Sequence, residues 1–339
     1  MTAEKDQRLI QLDALRGIAA LWVVLYHLTT RFLEIYPQSS APVFSLPDGR
    51  HGVHLFFMIS GYVILMTLDK AKSALDFAVS RFCRLFPTYW LSVLITFSIV
   101  SYFGLPGREV TIRDALINLS MIPEALGVSL VDNCYWSLQV ELFFYVLMAT
   151  LVFSGQRKNL ILILAILVAA DLALLLAWGD SANSLPKPLK ALRLLLGLRF
   201  LHLFLFGIIC YQRKIDNKWY YLPLLVFCIL TSLIEKKIDH SLIIAAIGMV
   251  FFLATNFQIS LFRSKFLIFF GFISYPFYLL HQNIGYVIIR FFQALGTSHS
   301  LCIVIAFITA VILACALSYT VEHPFNSWLR KQYRNLRAK

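Results

Sequence analysis

The chain has 339 residues, of which 59% are hydrophobic and only 14% charged, with a mean hydropathy of +0.75. Soluble domains carry about a quarter charged residues, so this composition excludes an ordinary soluble fold and points to a polytopic membrane protein. The formal charge of +12 does not indicate nucleic acid, because the basic residues sit in short loops between apolar runs and form no continuous basic face.

Apolar runs long enough to span a bilayer lie near 10–30, 53–68, 86–104, 136–154, 159–178, 192–211, 219–234, 241–257, 266–290 and 301–320. The expectation is an all-α bundle of ten membrane helices, the second and seventh being short for a span. The first run lacks a small-residue cleavage site after it and reads as a retained helix, not a signal peptide. Ten crossings put both termini on one side. With the N-terminus in the cytoplasm, the inside segments hold 18 of the 30 Lys and Arg residues, the outside segments 8, and the spans four. That bias follows the positive-inside rule and makes both ends cytoplasmic. The longest loop, 105–135, is too short for a soluble domain. Residues 1–339 therefore read as one integral membrane domain, helical from about 10 to 320, with a basic tail at 321–339 lying on the anionic inner leaflet. No internal repeat is visible, which disfavours carriers built from two similar halves. The six cysteines form no CxxC pair, and neither a disulfide framework nor a metal site is expected.

The first helix, LDALRGIAALWVVLYH from Leu12 to His27, carries Asp13, Arg16 and His27 among apolar neighbours. Eleven residues separate Arg16 from His27, and at ~100° per residue the two point from nearly the same face, roughly 16 Å apart along the axis. Ionisable groups inside membrane helices face a bundle interior or a wet cavity and mark a functional path. In the second run, His51 and His54 read as loop-end histidines, while Ser60 and Gly61 let another backbone or a ligand approach closely. Arg81 and Arg84, on the predicted cytoplasmic side, lie one turn apart and could jointly grip a phosphate. Pro87 suits the start of the third helix.

In the fourth run Ser137 is the expected N-cap. Glu141, about one turn in, needs a partner, and His27, Arg16 and the helix N-terminus itself are all open candidates. Pro276 should kink the ninth helix, beside the polar groups of Tyr275, Tyr278, His281 and Asn283. The tenth helix should stop at His323, before Pro324. Dinucleotide, Walker, zinc-protease and nucleophile-elbow signatures are absent from the sequence. On physics alone, ten helices with intramembrane Arg, His and Glu would equally suit a proton-coupled secondary transporter or a flippase.

Taken together, these stretches resemble the acyltransferase family 3 membrane proteins. The matching landmarks run in order from LDALRG and His27 through LFFMISG (55–61), RFCRLFP (81–87), YWSLQVE (135–141) and GFISYPFYLLHQ (271–282) to VEHPF (321–325). The resemblance implies a stand-alone enzyme of the bacterial plasma membrane, without a C-terminal soluble hydrolase-like domain. It would transfer an acyl group, most often acetyl, from cytoplasmic acyl-CoA to a hydroxyl of an extracytoplasmic glycan or lipid-linked saccharide. Acyl-CoA would be a substrate; no permanently bound cofactor, metal or nucleic acid is implied, and membrane lipids are the surrounding partners. Carried over by motif, the expected catalytic residues are Arg16, His27 and Glu141, the family's fourth-helix glutamate, and Arg81 and Arg84 bind the CoA donor. Asp13 (as the anchor of Arg16), Ser60, Trp136, Tyr275 and His281 support them. Two positions depart from the pattern. His54 stands where the family is often acidic and takes over no role. Leu142 and Phe143 stand where Glu-Gln-Phe is common, which leaves the fourth helix one polar group short. His27 fits a general base, since an imidazole titrates near operating pH, or a transient acyl carrier. Succinyl or longer acyl groups fit the same pattern.

Overall fold

The computed structural model describes residues 2–37, 44–178, 185–235 and 238–337. All regular structure among them is helical. The long helices are α1 (Thr2–Tyr26), α2 (Gly52–Leu68), α3 (Ala74–Phe103), then after the short α4 (Ile112–Asn118), α5 (Trp136–Phe153) and α6 (Leu160–Trp178). They are followed by α7 (Lys187–Leu195), α8 (Leu198–Asp216), α9 (Tyr221–Glu235) and α10 (Ile238–Asn256). The last part of the chain holds α11 (Lys265–Phe272), α12 (Ser274–Leu280), α13 (Gln282–Ala294), α14 (His299–Leu317) and α15 (His323–Arg337).

Eight stretches among the described residues are long and apolar enough to cross a membrane, against the ten expected. The two others have identifiable causes. The seventh run forms only the shorter apolar helix Tyr221–Ile234. The ninth run is divided into α11, α12 and α13 by breaks at Ile273 and His281. Pro276 has no N–H to give to the Phe272 carbonyl, and this accounts for the first break.

Three other expectations are corrected. Pro87 does not begin a helix but lies inside the 30-residue α3, so Arg81 and Arg84 project from a continuous helix rather than from the loop before it. Ser137 is not an N-cap. Asp132 caps the 3₁₀ turn Asn133–Tyr135 by accepting from the Cys134 amide at 3.1 Å, and α5 follows directly from Trp136. Helix formation does not stop at His323 either. A π turn over Ser318–Glu322 carries α14 into α15, and Pro324 falls in the first turn of that helix, where its missing N–H is harmless.

The chain forms two compact units, one of residues 1–16, 53–77 and 140–268, the other of residues 17–52, 78–139 and 269–339. In the first, α2 and α8 cross at a pair of glycines. A Cβ on Gly61 would meet the Phe204 carbonyl, and one on Gly207 would meet the Met58 carbonyl, so small residues set this approach. The same unit buries an ion pair. Arg193 Nε and Nη2 donate to the two oxygens of Asp171 at 2.8 and 3.2 Å, and Asp171 is 1% exposed. Apolar surroundings require such pairing. In the second unit, Leu28, Phe32, Ile284 and Tyr286 are buried together with Ala306 and Ala310 of α14.

Candidate active site

In the second unit, α1 passes without interruption into a π turn at His27–Arg31 and resumes as a helical turn over Phe32–Ile35. Such turns insert one residue and often re-aim a side chain at a functional position. Here the hydroxyl of Thr29 donates to the Leu25 carbonyl at 2.6 Å, and the Leu46 amide donates to the hydroxyls of Thr29 and Thr30. The first residue of the turn, His27, meets His281. Its Nδ1 lies 2.9 Å from His281 Nε2 and 3.0 Å from the Val23 carbonyl.

His281 is fully buried at the break between α12 and α13, with Nδ1 2.7 Å from the Tyr278 carbonyl. A carbonyl can only accept, so His281 Nδ1 carries the hydrogen, and in the neutral ring its Nε2 is the acceptor. His27 Nδ1 must then donate, to His281 and to Val23. The lone pair of His27 is left on Nε2. The pair therefore fixes a single tautomer in each ring.

The break at His281 exposes the last carbonyls of α12, which need partners in an apolar setting. Side chains from the loop before α5 supply them. Tyr135 Oη donates to the Leu279 carbonyl at 3.1 Å and Cys134 Sγ to that of Tyr278 at 3.3 Å. Tyr278 Oη in turn reaches the Cys134 carbonyl and the Ser137 hydroxyl. On the far side of His281, Asp132 accepts from the Asn283 amide at 2.9 Å. Burial pushes the Asp132 carboxyl up to about 6, against the opposing effect of the amides it accepts from. The sequence reading noted Tyr278 and Asn283 but missed Asp132, although an Asp directly before a helix-opening turn is a capping signal.

In the same unit, Arg81 is 8% exposed and Arg84 half-buried on α3. Arg81 Nη2 donates to the Ser80 hydroxyl at 3.4 Å, and Arg330 Nη2 of α15 donates to the Ser80 carbonyl at 3.3 Å. Three guanidiniums thus gather around one turn of α3; Arg330 belongs to no motif and was missed. Tyr275, expected among the supporting residues, is placed here and not beside His27, because its hydroxyl donates to the Leu85 carbonyl at 2.9 Å.

In the first unit, Arg16 Nη1 donates to Asp13 Oδ1 at 3.0 Å, the anchoring expected for Asp13. Glu141 is partnered by none of the three open candidates. Its Oε1 accepts from the Ser60 hydroxyl at 2.6 Å and from the Tyr145 hydroxyl. Ser60 is thereby joined to Glu141. Tyr145 was missed, although an i,i+4 spacing on α5 marks it as a neighbour. Trp136, half-buried, belongs to the second unit and is the first residue of α5.

The fold is that of a helical membrane protein, and the polar groups marked by the sequence fall at a histidine pair, an arginine cluster and a hydroxyl-bound carboxylate. A family profile described as an acyltransferase domain matches residues 9–320, and the chain belongs to that family, acyltransferase family 3. Among curated proteins it is 30% identical over 162 residues to a candidate acetyltransferase, ORF330, of Acidianus two-tailed virus, covering 48% of this chain and 46% of that one. It is 29% identical over 145 residues to the acyltransferase MdmB of Streptomyces mycarofaciens (41% and 38% of the two chains). Over 134 residues it is 27% identical to the exopolysaccharide production protein ExoZ of Rhizobium meliloti strain 1021 (37% and 41%). The matched stretch spans less than half the length of each of these relatives. No solved structure matches the chain.

Proposed function

We propose that this protein is a membrane O-acyltransferase, moving an acetyl group from acetyl-CoA to a hydroxyl of an extracytoplasmic glycan in a bacterial plasma membrane. The observation that carries the reading is the His27–His281 pair, which presents the His27 Nε2 lone pair as a base within a chain of the acyltransferase family. The name of ExoZ directs the acceptor toward a polysaccharide or its lipid-linked precursor.

In this reading the CoA phosphates bind Arg81 and Arg84, with Arg330 as the third cation. Arginine suits the task because its fork binds phosphate oxygens bidentately and stays charged. His27 Nε2 accepts the proton of the sugar hydroxyl as its oxygen bonds to the thioester carbonyl carbon. The tetrahedral oxyanion collapses, the C–S bond breaks, and the CoA thiolate takes the proton back from the imidazolium. His281 acts through His27 by holding the ring and accepting its Nδ1 hydrogen. Arg16, held by Asp13, orients the donor's oxygens. Glu141, bonded to Ser60 and Tyr145, braces the helices on which those groups are carried.

The test is transfer of radiolabel from acetyl-CoA to the producing strain's own polysaccharide by the purified protein in proteoliposomes. Wild type should label the glycan, and His27→Ala should lower the rate about a hundredfold or more while the protein stays folded in the membrane. Normal activity of that variant would remove His27 from the chemistry. Uptake of a solute with no acyl transfer would replace the enzyme with a carrier.

A further inference from the structure

The second unit contains a cavity of about 720 Å³ that the transfer chemistry does not use. Its walls come from the turn after the His27 segment (Tyr36), from the end of α13 (Arg290, Gln293), and from the loop into α14 (Thr297, Ser298, His299). Between His27 and Tyr36 the chain advances nine residues in helical turns, on the order of 13 Å, so the cavity lies beyond His27 on the side away from Arg16. The charge-derived orientation makes that side extracytoplasmic.

Four of the wall residues are tied to neighbours. The Arg290 guanidinium lies over the Tyr36 ring, 4.8 Å from its centroid, while the Tyr36 hydroxyl donates to the Pro106 carbonyl at 3.1 Å. Gln293 Nε2 donates to His299 Nδ1 at 2.7 Å, which puts the His299 hydrogen on Nε2. That Nε2 is buried in a residue only 4% exposed and has no acceptor among the described residues. An unmet buried donor is costly, and an oxygen-rich ligand would relieve it.

We propose that this cavity is a subsite for the sugar units that flank the acylated one in the acceptor glycan. The proposal rests on the reading of the protein as a glycan acyltransferase. The lining combines one guanidinium, an amide, an imidazole N–H and two hydroxyls on an aromatic floor. Such a set makes several directional hydrogen bonds to vicinal hydroxyls and ring oxygens. A phosphate headgroup would instead call for several converging cations, and among the described residues Arg290 is the only guanidinium or ammonium lining the cavity. Recognition at a distance from His27 would let the enzyme select a polymer or oligosaccharide over a free sugar, because binding energy from remote parts of a substrate raises its specificity.

The experiment uses the full-length protein in nanodiscs, with saturating acetyl-CoA. The acceptors are fragments of the producing strain's polysaccharide, graded from a single sugar to an oligosaccharide of several repeats. Arg290→Ala and Gln293→Ala should each raise KM for the long fragments about tenfold, leaving kcat and the KM of the single sugar unchanged. Thr297→Trp, which fills the cavity from its half-exposed rim and removes one of the two hydroxyls, should do the same. An unchanged KM for the long fragments in all three variants would overturn the subsite and leave the enzyme reading intact. Equal losses on long and short acceptors would also overturn it, by showing a structural role for the wall. No transfer by wild type to any fragment would overturn the enzyme reading, and the subsite with it.

Discussion

The Tyr278 carbonyl, an acceptor and nothing else, sets the proton positions along the line that ends at His27 Nε2. Removing His281 leaves the Val23 carbonyl to hold the His27 hydrogen, but takes away the group that fixes the ring's orientation. His281→Ala should therefore lower kcat about tenfold to a hundredfold with KM for donor and acceptor unchanged. His281→Gln, whose amide can still accept from His27 and donate to Tyr278, should recover part of the loss. Equal activity of the two variants would deny His281 a positioning role. Asp132 offers a second test, through pH. Its folded carboxyl titrates near 6, above the ordinary aspartate value of about 3.9. The folded state thus holds the proton more tightly, so stability is highest at low pH and declines as pH rises from about 4 to 6. Thermal unfolding in detergent across that range should show the decline in wild type and lose it in Asp132→Asn. Of these residues, spacing alone reveals only those that share a helix. Arg16, His27 and Asp13 lie on one stripe, and Tyr145 could have been found by its distance of one turn from Glu141. The partner of His27, 254 positions away, is encoded by no local pattern.

Helices were legible where apolar length is the whole signal, and illegible where the backbone is rescued by tertiary partners. The run at 266–290 is apolar enough for one helix, and Pro276 marks a disturbance. Only the hydroxyl of Tyr135 and the thiol of Cys134, from a distant loop, make a second break at His281 tolerable. Pro87 errs in the other direction, since α3 continues through it. The small pair Ser60–Gly61 was readable as a close-approach point, and Gly207 turns out to be its counterpart on α8. This crossing makes a direct prediction. Gly61→Ala and Gly207→Ala should each lower stability by on the order of 1–3 kcal/mol, because the added methyl meets a backbone carbonyl that cannot rotate away. Either substitution forces α2 and α8 apart, so the second should cost less once the first is made. Thermal midpoints of the single and double variants in detergent measure both effects, and strict additivity would mean that the glycines do not share one contact.

At the scale of the molecule, several contacts among the described residues join segments that the charge bias assigns to one side. In the first unit, Arg157 bonds both Asp69 and Gln212, and Arg213 and Lys214 reach Asn256 and Thr255. These residues belong to, or directly adjoin, segments assigned to the cytoplasm. In the second unit, Arg330 meets Ser80, joining two more cytoplasmic segments, while Tyr36 meets Pro106, joining two outer ones. The α15 helix fits the same orientation: Phe325 and Trp328 stack on one another and are exposed, while its basic residues suit anionic headgroups. Cysteine labelling tests the arrangement cleanly, because five of the six native cysteines are buried and Cys315 is half-buried within α14. In intact cells an impermeant maleimide should label Arg113→Cys and Ser298→Cys but not Lys5→Cys or Lys331→Cys, and permeabilisation should expose the latter pair. The reverse pattern would turn the molecule over, placing the arginine cluster outside and away from cytoplasmic acetyl-CoA. Equal labelling at 298 and 331 would mean that α14 does not cross the membrane, and the opposed placement of donor and acceptor would fail with it.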